Sequence, residues 1–142
     1  MRTEEQQQHE EAFVSAFVLP QRRERWVTLL GNPRRRAAVT RTLDHQHDLD
    51  DRTCVPVVPS NLSDEEIAAA LRARGAPARC WVISASPRLD GRYLELVEAL
   101  NEISGSGRGA ALSCVPGRLG YFEGEHGTCE RYFLIKPPKA LP

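Results

Sequence analysis

Residues 109–136 read GAALSCVPGRLGYFEGEHGTCERYFLIK, and this stretch decides the fold. Ala110–Val115 is a short, nearly continuous apolar run, and Pro116-Gly117 is a turn pair. Leu119–Gly124 alternates from side to side, Glu125–Thr128 is turn material, and Cys129–Ile135 is again strand-like. Three strands in a meander are therefore predicted. Such a sheet has to bury at least one face under a helical layer, and the preceding chain supplies the helices.

Working back from the meander, Gly105-Ser106-Gly107-Arg108-Gly109 is a connector. Its glycines follow a helix and precede a strand, the reverse of the order a phosphate loop needs. Arg79–Ala85 (RCWVISA) is apolar enough for an inner strand. After it, Asp90-Gly91 predicts a hairpin returning through Arg92–Glu95 into a helix over Leu96–Ile103; the alternative is one helix from Gly91 to Ile103. Ser63-Asp64-Glu65-Glu66 is a capping box that opens a helix running to about Arg74. Cys54–Val58 is a short strand that Pro56 confines to a sheet edge.

The N-terminal third reads as helical. Phe13 and Phe17 stand four apart with Ala16 beside them, which makes Glu4–Val18 an amphipathic helix. Gln21–Leu30 follows with Trp26, Leu29 and Leu30 as its inward stripe, and Gly31 suits its end. Asn32 as cap and Pro33 at the first position open a third short helix carrying Val39 and Leu43. The fold class is thus α+β: about three short helices in residues 1–50, packed with a mixed, largely antiparallel sheet in residues 53–137. The expected organisation is a single domain over 1–137 with a flexible tail at 138–142, the helices lying on one sheet face.

Composition bounds the function. With 41% hydrophobic and 27% charged residues the chain is of the ordinary folded kind rather than a disordered one. No run of about 18 apolar residues suggests a membrane span, and the N-terminus lacks the pattern of an export signal. The four cysteines (Cys54, Cys80, Cys114, Cys129) are widely spaced with no CxxC pair, so free thiols in a cytoplasm are expected.

Net charge is zero but segregated. Residues 19–42 hold Arg22, Arg23, Arg25, Arg34, Arg35, Arg36 and Arg41 against Glu24, while residues 43–71 are mainly acidic. Lysine occurs only at 136 and 139. Arg34-Arg35-Arg36 fall in the first turn of a helix, where the dipole disfavours cations by ~0.3–1 kcal/mol each. Two explanations are open: the acidic block, Asp48, Asp50 and Asp51 in particular, neutralises the arginines, or an external anion does. The second leads to the functional expectation of a small, bacterial-type, non-catalytic binding or regulatory module. Its contacts would be Arg22, Arg23, Arg34, Arg35 and Arg36, and its partner an acidic protein or a nucleic acid, with Trp26 stacking on a base in the latter case.

The alternative is a small cysteine- or metal-dependent enzyme with a pocket near the 113–117 turn and the 123–130 hairpin. Cys114 at a strand end would be its nucleophile, His126 its base, and Glu123 a further acid–base group. Glu123 shares a strand face with Leu119 and Tyr121, so if buried it needs a cationic partner such as Arg118, Arg92 or Arg131. The stretch His45-Gln46-His47-Asp48-Leu49-Asp50-Asp51 resembles the HxHxDH run of metallo-β-lactamase-like hydrolases only in its first half. Leu49 and Asp50 stand where that run requires Asp and His, and the stretch reads as a solvated acidic loop. On sequence alone no metal site and no cofactor is assigned.

Overall fold

The structure is a computed structural model and describes residues 2–127 and 130–136. The tail expected at 138–142 and the strand start expected at Cys129 lie outside the described residues. Five α-helices are present among them: α1 (Glu4–Phe17), α2 (Arg23–Leu30), α3 (Ala37–Thr40), α4 (Asp64–Ala73) and α5 (Leu96–Ser104). Six strands, β1 (Cys54–Pro56), β2 (Arg79–Ser84), β3 (Tyr93–Glu95), β4 (Ala110–Val115), β5 (Leu119–Glu123) and β6 (Arg131–Ile135), form one sheet in the order β1-β6-β5-β4-β2-β3. Every pairing is antiparallel. The fold is α+β, and its last three strands are adjacent, as the meander predicts.

Local chemistry explains the element boundaries. The Thr3 hydroxyl accepts from the Gln6 amide at 3.1 Å and starts α1. Ser63 and Glu66 complete both halves of the capping box at α4. The Glu95 carboxylate accepts from the Glu98 amide at 2.9 Å, so the hairpin strand β3 passes directly into α5. Pro56 closes β1, and β1 is an edge strand, where a missing amide donor is tolerated.

The sheet is covered on both faces, which corrects the expectation of a one-sided helical layer. Strand alternation makes this unavoidable. In β5, Leu119 and Tyr121 join one core with Cys80, Val82, Leu112, Cys114 and Phe133, and α4 and α5 close it with Ile67, Leu71, Leu96, Leu100 and Ile103. Phe122 points the other way, with Ile83, Ala111 and Leu134, into a second core. Phe13, Phe17, Trp26, Leu29, Leu30, Val39 and Leu43 of the N-terminal third close that one. All five β5 residues are buried, so the strand carries apolar or satisfied side chains in both directions. Among the described residues no helix is long and apolar enough to cross a membrane.

The third helix is shorter than Asn32-Pro33 suggests. Arg35 and Arg36 amides both bond to the Asn32 carbonyl, and the amides of Ala38 and Val39 still bond three residues back before that of Thr40 reaches four back, so only Ala37–Thr40 is α-helix. Gly109 is required at the sheet–helix contact below this segment. A Cβ there would overlap the Leu43 carbonyl, so only glycine lets β4 begin against the segment that follows α3.

Candidate functional site

The arginine block lies on α2 and on the turn after it. Trp26, Leu29 and Leu30 turn inward, while Arg25 on α2 and Arg22 in the short 3-10 turn before it are exposed. Trp26 is fully buried, and its indole Nε1 donates to Asp48 at 2.9 Å. It is a core anchor and is closed to base stacking. Arg25 and Arg35, with Gln21, Glu24, Thr28 and Leu29, line an open groove of about 420 Å³. Arg34 and Arg35 are exposed on the adjoining turn.

The five arginines singled out from sequence divide into two kinds. Arg22 is exposed, with Asp48 at 3.9 Å, a distance too long for a hydrogen bond. Arg34 and Arg35 have no ion-pair partner among the described residues. Arg23 is turned back, its Nε donating to the Val18 carbonyl at 2.9 Å. Arg36 is internal. Its guanidinium donates to both oxygens of Glu10 at 2.7 Å, to both oxygens of Asp90 at 2.8 and 3.0 Å, and to the Leu30 carbonyl at 2.9 Å. The neutralising carboxylates thus come from α1 and the β2–β3 turn, and the Asp48–Asp51 loop serves others: Asp50 holds Arg52, and Asp48 holds Trp26. Burial pushes the Glu10 carboxyl up, but bonding and charge from Arg36 outweigh it and hold the group below its usual range.

A sequence signal for this network exists in hindsight. Glu10, Phe13 and Phe17 fall on one helical stripe, and an acid on a buried stripe demands a cation. Nothing in the sequence marks Asp90 as the second partner.

The alternative catalytic set is not brought together. Cys114 is buried in the core beneath α4 and α5, beside Cys80 on the neighbouring strand; the Cys80 thiol and burial both raise its pKa well above the ordinary range. Glu123 sits at the far end of the hairpin, opposite Ala110, which is four strand residues or about 13 Å from Cys114. It belongs to a closed polar cluster. The Tyr121 hydroxyl donates to Glu123 Oε1 at 2.8 Å, Arg131 Nε donates to the Tyr121 oxygen at 2.9 Å, and the other Arg131 nitrogens donate to the Ser60 and Leu62 carbonyls. Arg131 is therefore the cationic partner that a buried Glu123 requires. Burial raises the Glu123 pKa, nearby Asp64 adds to the rise, and bonds from Tyr121 and Ser104 and the Arg131 charge oppose it. His126 is on the exposed β5–β6 turn, next to Glu125 and His45.

A serine–histidine pair that sequence reasoning did not find lies between α1 and β4: His9 Nδ1 and Ser113 Oγ are 2.7 Å apart. Both residues are buried, so neither offers a substrate a path to the hydroxyl. The pair ties α1 to the sheet.

Compared with protein-family models, with curated proteins and with solved structures, the chain matches none.

Proposed function

We propose that this protein is a non-catalytic binding module that docks an acidic protein segment on the arginine face of α2 and the 32–35 turn. The observation that carries this is the exposed group Arg22, Arg25, Arg34 and Arg35, of which Arg25 and Arg35 line a groove together with a single carboxylate, Glu24. Arg25, Arg34 and Arg35 have no ion-pair partner among the described residues and Arg22 has only Asp48 at 3.9 Å, so the face favours an anionic partner by charge complementarity, most strongly at low salt. An acidic protein segment fits better than nucleic acid, because the aromatic side chain that would stack on a base, Trp26, is spent in the core. Arg36 and Arg23 support the face from below. The setting that suits this reading is a cytoplasm of bacterial type, with Cys54, Cys80 and Cys114 as free thiols.

The test is fluorescence anisotropy with a labelled Glu/Asp-rich peptide and, in parallel, labelled single-stranded and duplex oligonucleotides. The acidic peptide binds, weakens as salt is raised, and loses at least about tenfold in affinity to the Arg34→Glu/Arg35→Glu variant, whose thermal midpoint stays that of the parent. Tighter binding of an oligonucleotide, or peptide binding indifferent to the charge reversal, overturns the proposal.

A further inference from the structure

Two stretches that the sequence marked out separately, the His45–Asp51 run and the 123–130 hairpin, meet at one end of the sheet. The segment after α3 ends at His45, and the β5–β6 turn carries Glu125 and His126. The Glu125 amide donates to the Asp44 carbonyl at 3.0 Å, which pins the turn to the residue before His45. Asp44 is itself clamped: Arg108 donates to both its oxygens, and the Gly109 amide donates to Oδ1 at 2.8 Å. The backbone on both sides of the junction is therefore held by the fold.

The three side chains converge across that junction. His45 Nε2 is 3.2 Å from Glu125 Oε1, His126 Nε2 is 3.6 Å from the same oxygen, and one ligand atom from each of the three residues lies within 4.8 Å of the others. In a tetrahedral site with Zn–N and Zn–O near 2.0–2.1 Å, neighbouring ligand atoms are about 3.4 Å apart. The two measured edges bracket that value.

A second observation points the same way. Glu130 Oε2 lies 3.9 Å from Nδ1 of His45, while Glu130 Oε1 is buried with no hydrogen-bond partner among the described residues. At 3.9 Å the Glu130 carboxylate does not hydrogen-bond the His45 ring; it places negative charge beside it, where a cation is favoured. Gly124 makes room for this: a Cβ there would stand 2.8 Å from the Glu130 carboxylate carbon.

We propose that His45, Glu125 and His126 form a site for one divalent transition-metal ion of the zinc class, with the Glu130 carboxylate adding negative charge beside His45. Two imidazoles and a carboxylate form a borderline-soft set suited to such an ion and poorly matched to calcium or magnesium, which prefer all-oxygen shells. The two carboxylates balance the charge of the dication. The site uses none of the arginines of the docking face and stands or falls without them.

The test is isothermal titration of chelator-treated, tag-free protein with zinc chloride, repeated on single variants. The wild-type chain takes up one equivalent with Kd in or below about the micromolar range. His45→Ala, His126→Ala and Glu125→Gln each weaken binding by at least about 100-fold, and Glu130→Gln, which removes only a nearby charge, by less than about tenfold. His126 lies on an exposed turn, so its removal leaves the fold intact. His47, stacked on His45 with ring centroids 5.5 Å apart, is the control: His47→Ala leaves affinity within about threefold. No uptake at micromolar zinc overturns the proposal, as does binding that His47→Ala abolishes and His126→Ala spares.

Discussion

Replacing Arg36 by alanine tests the account of the arginine block most directly. The side chain makes five hydrogen bonds at 2.7–3.0 Å, four of them to carboxylates, one of which, on Glu10, is only 1% exposed. Breaking a buried ion pair by removing one partner costs about 3–5 kcal/mol. The structure points to the lower end. Glu10 keeps bonds from Arg2 at 2.9 Å and Gln6 at 3.0 Å, and Asp90 Oδ1 keeps the Ser84 amide at 3.1 Å, so neither carboxylate is left alone. Arg36→Ala is therefore expected to lose about 3 kcal/mol, roughly 10 °C in Tm for a chain of this size. Arg34→Ala and Arg35→Ala, on the same turn, stay within about 0.5 kcal/mol. The assay is urea unfolding followed by tryptophan fluorescence, with the slope m compared across variants.

The pH dependence has a defined sign. The Glu10 carboxyl is held below its unfolded pKa, so its contribution is fully present above about pH 4.3 and is lost as pH falls through the folded value. The gap between wild type and Arg36→Ala should narrow with acid in that window. A loss under about 1 kcal/mol at neutral pH would refute the reasoning, as would equal losses for Arg34, Arg35 and Arg36, for then the triplet would be uniform and the internal network without weight.

Three further outcomes follow from the buried His9–Ser113 pair and the thiols. Ser113→Ala leaves His9 Nδ1 buried without its partner and should cost about 1–3 kcal/mol in the same unfolding assay. Burial lowers the His9 pKa against the opposing charge of Glu5, so the stability tied to neutral His9 is present above about pH 6.5 and is lost as pH falls through the folded value; an NMR titration of the imidazole reads this directly. Site-resolved alkylation in native buffer should leave Cys80 and Cys114 unmodified until urea unfolds the chain, whereas labelling of Cys114 at the rate of a free cysteine would restore it as a nucleophile candidate.

Much of the architecture was determined by the sequence alone. The α4 capping box, the Pro56 edge strand, the inward Trp26 stripe and the alternation of β5 depend on residues within a few positions of one another, and local propensity and periodicity report such relations directly. The need of Glu123 for a cation was legible for the same reason: the alternation places it on a buried face. Only the tertiary structure decided which partner each charge finds. Arg36 meets Glu10 and Asp90 rather than the nearer acidic loop, and His45 meets a turn far along the chain, because the sheet brings distant segments to one place regardless of their separation. Two-sided burial of the sheet was hidden for a related reason, since the pattern of one strand shows that both its faces are apolar without showing which helices cover them.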